Sequence, residues 1–189
     1  MRHWIRFALL ALLLLTPRLA AADDVADAIA EAGRAYKAGD LAGTRAALGE
    51  ASQFLAQRAA AGLGAALPSA LPGWTAEDVE TNTSGLAMIG GGSQATREYK
   101  NAEGQHVQIQ VTADSPLVAP LAMAMSNPAM AGAMGKLLRF GSQRAIQTND
   151  NEIQLLVGNR ILISVTGDAP IEAKLAYAKA IDVGKLSAQ

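Results

Sequence analysis

The chain has 189 residues, 16 Lys and Arg against 17 Asp and Glu, and a formal net charge of −1. That balance argues against a nucleic-acid or anionic-membrane surface, both of which need concentrated positive charge. Cysteine is absent, which excludes disulfides, thiol nucleophiles, Cys-ligated metals and a lipid-modified N-terminal cysteine. The length suits one domain with an appendage and a core that needs no covalent staple.

Residues 1–22 carry an address. Arg2, His3 and Arg6 precede the apolar run Phe7–Leu15, Pro17 follows, and Ala20-Ala21-Ala22 stands before Asp23-Asp24. A positive start, a short apolar middle and a small-residue end predict a secretory signal peptide cut after Ala22. The nine-residue run rises only ~14 Å as a helix against the ~30 Å of a bilayer core. The expectation is therefore export without a stable membrane anchor after cleavage. Arg2, Arg6 and Arg18 leave with the leader and every acidic residue stays, so the mature chain is the more acidic. In a Gram-negative cell the compartment is the periplasm.

Residues 23–66 read as a helical hairpin. Val25, Ile29, Ala32 and Tyr36 recur at helical spacing, and Gly39 suits the left-handed position that ends a helix. Asp40 can cap a second helix, Leu41–Leu63, with Leu41, Leu48, Leu55 and Leu63 as its apolar stripe. Gly43, Gly49, Gly62 and Gly64 each weaken that helix by up to ~1 kcal/mol relative to Ala. Ala32, Tyr36, Gly39-Asp40, Leu48 and Ala51 sit near where a tetratricopeptide unit places its small, aromatic, turn and packing residues. The hairpin is similar to one such unit, with Thr44 where that repeat has Ala. No second copy follows, so a lone hairpin must pack on the rest of the chain or on another protein.

Residues 67–73 hold Pro68 and Pro72 and predict an extended linker. From residue 74 to 189 the period becomes strand-like. Expected strands are Trp74–Glu80, Ala95–Lys100 and His106–Ala113, with a turn at Thr81–Gly85 and an apolar stretch, Leu86–Ile89, entering Gly90-Gly91-Gly92. Val107, Ile109 and Val111 alternate with polar residues, which gives one buried face. Ser115 and Pro116 start a helix to Ser126, which breaks at Asn127-Pro128 and resumes through Met134. Strands Lys136–Phe140, Ala145–Thr148, Glu152–Val157 and Ile161–Thr166 follow. A plain two-residue Gly158-Asn159 turn would set Gln154 against Ile163. Including Arg160 in the connection pairs Val157 with Ile161, Leu155 with Ile163 and Ile153 with Val165, and buries all six. The expectation is a three-residue connection, or a two-residue turn with an adjacent bulge. Asp168-Ala169-Pro170 opens a last helix with Ile171, Leu175, Ala178 and Ile181 on one face, ending before Gly184.

The order predicts an α+β fold, a helical hairpin followed by an antiparallel β-sheet covered by two helices. In element order this domain is similar to the small exported sandwiches of the Mog1/PsbP-like kind. With Leu71–Trp74, Gly90–Gly92, Asp114-Ser115-Pro116, the Met-rich helix and Val157–Arg160, the whole chain resembles uncharacterised exported bacterial proteins of hairpin-plus-domain build. No established activity comes with that resemblance.

Catalytic motifs are scarce. His106 is the one histidine after the leader, on the polar side of a strand, and a triad would need partners such as Ser93 or Asp114. Gly90-Gly91-Gly92-Ser93-Gln94-Ala95 fits a dinucleotide fingerprint in spelling, but a strand follows it where that motif needs a helix. The stretch reads instead as a flexible loop or bulge, and the neighbouring Leu86–Ile89 makes it the best candidate for a mobile lid over an apolar groove. Glu98 with Glu103, and Asp150 with Glu152, flank turns as solvated charges. Met123, Met130 and Met134 fall at i, i+7 and i+11 on one helical face, and methionine makes adaptable apolar surfaces. The expected ligand site is Met88, Ile89, Met123, Met130 and Met134. The alternative is a Cu(I) site of Met123, Met125, Met130 and Met134, since thioethers select soft metals. The sequence thus predicts a non-enzymatic exported protein without cofactor, holding an apolar small ligand or a protein partner and no nucleic acid.

Overall fold

Period-two alternation in the second part of the chain becomes one sheet. The computed structural model describes residues 23–87 and 90–188; the expected leader, Met88 and Ile89 lie outside them. Helices α1 (Asp24–Lys37) and α2 (Leu41–Ala65) come first, then strands β1 (Trp74–Ala76) and β2 (Glu80–Asn82) and the single turn α3 (Ser84–Ala87). Strands β3 (Ser93–Asn101) and β4 (His106–Ala113) precede α4 (Val118–Ser126) and α5 (Pro128–Met134). Strands β5 (Gly135–Phe140), β6 (Gln143–Thr148), β7 (Ile153–Val157) and β8 (Ile161–Thr166) follow, then α6 (Ile171–Ala180) and α7 (Val183–Ser187).

The fold is α+β. Its antiparallel strands run in the order β1-β3-β4-β8-β7-β6-β5, with β2 also pairing β3. The first expected strand, Trp74–Glu80, is split. Its two pieces pair opposite ends of β3, Tyr99–Asn101 and Gln94–Thr96. Between them the chain bends around Arg97, whose Nε donates to the Glu77 carbonyl at 2.8 Å. At the other end of the sequence, β7 and β8 pair Val157 with Ile161, Leu155 with Ile163 and Ile153 with Val165. The expected three-residue connection is present, with Gly158 and Asn159 both at positive φ.

One sheet face carries the main core. Val107, Ile109, Val111, Ile153, Leu155, Ile163 and Val165 pack there with Leu63, Leu67, Tyr177 and Leu186 from the flanking helices. Each such side chain contributes ~1.5–3 kcal/mol by burial before chain entropy opposes it. On the other face Ile146 and Leu156 meet Val118, Ala122, Met125 and Ala131 of α4 and α5. Away from those helices that face keeps half-buried polar residues, Thr96, Gln108, Gln110 and Ser164.

The hairpin buries Ala32 and Leu63 of the expected stripes, but otherwise packs on alanines beside them. α1 buries Ala28, Ala32 and Ala35, and α2 buries Ala47 and Ala51. Ile29, Tyr36, Leu41, Leu48 and Leu55 are exposed. Alanines let two helix axes approach closely, and the larger side chains flank that seam. Ile29 follows Ala28, Tyr36 follows Ala35 and Leu48 follows Ala47, each rotated by about 100° in the same sense. In antiparallel helices that rotation brings both rows to one side of the hairpin. The glycines of α2 do not interrupt it, and Gly64 has a packing reason: a Cβ there would stand 2.8 Å from Val79 Cγ1.

The linker is clamped rather than loose. Tyr99 Oη and Arg97 Nη1 both donate to the Pro68 carbonyl, at 2.8 and 3.2 Å, and Leu71 N donates to Tyr177 Oη at 3.3 Å. Burial pushes both phenols above their ordinary range, Tyr99 the further. An unfolded tyrosine ionises near pH ~10, so above that pH the unfolded state sheds protons first. Stability should hold below pH ~10 and fall as pH rises beyond it. Tyr99→Phe should flatten that fall while costing about 1 kcal/mol at neutral pH for the lost hydrogen bond. Urea titrations either side of that pH check both effects.

Candidate functional site: a groove between the broken helix and the sheet edge

The site begins with Asn127-Pro128. A residue before proline is driven out of the helical region, and Asn127 is extended at φ −95°, ψ 113°. Its Oδ1 accepts from Ala129 N and Met130 N at 3.0 and 3.4 Å, so α5 restarts immediately on a new line. Gly135, at φ +155°, then turns the chain into β5, where a Cβ would collide with the Gln147 carbonyl oxygen. Gly141 and Ser142 form a two-residue turn, since Phe140 pairs with Gln143.

That turn sets the register of the site: Leu137 faces Ile146, and Arg139 faces Arg144. All four lie on the sheet face that α4 and α5 cover. Between helices and strands runs a groove of about 550 Å³ walled by Met125, Pro128, Ala131, Leu137 and Ile146, with Arg139 and Arg144 exposed along it. A second, polar hollow of about 380 Å³ adjoins it, lined by Ser142, Gln143 and Asn159 and sharing Ser126 and Arg144 with the groove. Among the described residues neither Arg139 nor Arg144 has a carboxylate within ion-pair distance.

The expected methionines divide. Met125, 4% exposed, is a groove wall, and Met134 packs half-buried on the same small core. Met123 is 74% exposed and Met130 is 53% exposed. Met123 lines a shallow hollow beside Asn127 and Asn159 instead. Counting 123, 130 and 134 along one helix assumes a continuous phase, which the break at Asn127 resets. Met123 and Met125 are two residues apart in one helix, about 200° around its axis. The thioethers of the copper reading therefore lie on both sides of α4. Among the described residues no three His, Asp or Glu side chains group as a metal set.

The lid expectation is corrected for the glycines. Gly91 and Gly92 line a hollow against Ser52, Gln53 and Ala56 of α2 and lead into β3, which is four strands from β6. Neither glycine lines the groove. His106 also has a different neighbour from those expected. Its Nδ1 lies 2.8 Å from Asp168 Oδ1, which also accepts from His106 N at 2.7 Å. That backbone bond, with the imidazole beside it, holds the Asp168 carboxyl below its usual range. Ser93 pairs with Ala113 and His106 with Lys100, so serine and histidine sit at opposite ends of the β3–β4 ladder. Asp114 is instead forked to Arg160 at 3.0 and 2.8 Å. The suggested triad does not assemble.

By architecture the protein is an α+β unit with a helix-walled cleft at one edge of its sheet. No family model, curated protein or solved structure matches the chain. Among the described residues no helix is long and apolar enough to cross a membrane.

Proposed function

We propose that this is an exported, periplasmic binding or accessory protein that holds an apolar ligand or partner segment without transforming it. The groove carries the reading. Its volume of about 550 Å³ is that of small-molecule sites, which are concave and mostly apolar with few polar groups. Met125 supplies a wall that can adapt its shape. The leader-like residues 1–22 support export. The exposed row of Ile29, Tyr36, Leu48 and Leu55 supports an additional protein contact, because contiguous apolar surface on a folded chain marks interaction sites.

The neutral fluorophore N-phenyl-1-naphthylamine tests the groove. Ser126 is exposed at the end of α4 and lines the groove, so Ser126→Trp should plug it without disturbing the core. The expected result is saturable fluorescence enhancement, weakened at least tenfold in Ser126→Trp at an unchanged thermal midpoint. Absence of saturable enhancement, or equal binding by the variant, would sink the reading.

A further inference from the structure

Building on the groove reading, we propose that the occupant is a single-chain amphipathic anion. Its alkyl chain lies along Met125, Leu137 and Ile146, and its carboxylate or phosphate head is held by Arg139 and Arg144. The two arginines stand directly opposite each other on neighbouring strands. Like charges in that position work against the sheet, and among the described residues no carboxylate relieves them. This concentration of positive charge occurs in a chain whose net charge is −1.

Edge protection does not account for the pair. β5 is an edge strand, and charged side chains there discourage pairing with another molecule. That explains Lys136 and Arg139, whereas Arg144 belongs to β6, one strand inside. The surroundings of Arg144 point to a ligand with two different ends. On one side it meets the apolar groove, and on the other the hollow of Ser142, Gln143 and Asn159. That hollow offers hydroxyl and amide groups and no carboxylate, which suits an anionic oxygen and repels nothing negative. Two guanidinium forks can hold a carboxylate or phosphate by charge-assisted bonds. The adjoining apolar wall strengthens such bonds by lowering the local dielectric.

Calorimetric titration of the protein with decanoate, decyl phosphate, 1-decanol and acetate tests this. At low salt at least one of the two long-chain anions should bind tenfold or more tighter than decanol, and their ranking separates a carboxylate from a phosphate head. Acetate, which lacks the chain, should give no measurable binding. Shortening the preferred anion should weaken it by roughly three- to fourfold per methylene at full burial. The Arg139→Gln, Arg144→Gln double variant should bind that anion and decanol within about twofold of each other, with a thermal midpoint no lower than wild type. In the wild type the preference should also shrink in ~0.5 M salt, which tests the charge without any substitution. Equal binding of anions and alcohol, or a preference that survives the double variant or salt, overturns the anionic head and leaves the groove reading standing. Acetate binding as tightly as decanoate overturns the chain. If no long-chain compound binds while N-phenyl-1-naphthylamine still does, the ligand class proposed here is wrong and the groove is not.

Discussion

Tyr177→Ala should lower the unfolding free energy by about 3–5 kcal/mol, the range for losing a buried aromatic ring. Tyr177 has no exposed surface and touches three parts of the molecule at once. Its ring lies 4.2 Å from that of Tyr99 on β3 and meets Trp74 edge-on at 5.5 Å. Its hydroxyl accepts the Leu71 amide of the linker. Alanine would leave a cavity where α6, β3 and the linker converge, and no neighbour can fill it without moving backbone. Tyr177→Phe should cost only about 1 kcal/mol, because the ring stays and one hydrogen bond goes. Urea unfolding should show a large midpoint drop for Ala at an unchanged slope. A loss below ~1 kcal/mol for Ala would mean that the ring cluster is not what joins these parts.

Gly135→Ala should cost about 2–3 kcal/mol, the scale of a side chain forced into a backbone conformation that only glycine tolerates. At φ +155° the added Cβ meets the Gln147 carbonyl head-on and also crowds Thr148 Cα at 2.9 Å. β5 can relieve the clash only by separating from β6, and that moves Leu137 away from Ile146 and opens the groove. Stability and N-phenyl-1-naphthylamine affinity should therefore fall together. Gly132 is the control. It lies inside α5 with open space around its Cα, so Gly132→Ala should stabilise by up to ~1 kcal/mol through helix propensity. If both variants behave alike, the junction at residue 135 does not shape the groove.

The sheet was legible because alternation is a strong local signal. Val107, Ile109 and Val111 fix one face of β4, and the same logic extended across Gly158-Asn159-Arg160 gives the β7–β8 register residue by residue. The hairpin faces were legible only at Ala32 and Leu63, because alanine is too weakly apolar to outrank leucine in a periodic count. Packing nevertheless favours the small residue at the seam between two helices, and Leu48 and Leu55 are left outside. The groove was half visible. The Met-rich helix and its break at Asn127-Pro128 can be read from the sequence, but carrying one helical phase across the break points to Met130 and misses Met125. The arginine pair was hidden by a two-residue error at a strand end. With β6 beginning at Ala145, Arg144 belongs to a loop. Treating Gly141-Ser142 as a tight Gly-X turn starts the strand at Gln143 and sets the two arginines face to face.

One uninterrupted helix serves both parts of the molecule. α2 meets α1 through Ala47 and Ala51, and its later turns enter the sheet through Ala60, Leu63 and Gly64. Its 25 residues span roughly 37 Å without a break where a joint could form. The hairpin is thus a cantilever, anchored at the sheet with its Gly39 tip at the far end. Displacing that tip means bending a helix and straining its root, so a load borne along Tyr36 and Leu48 would be felt at β3.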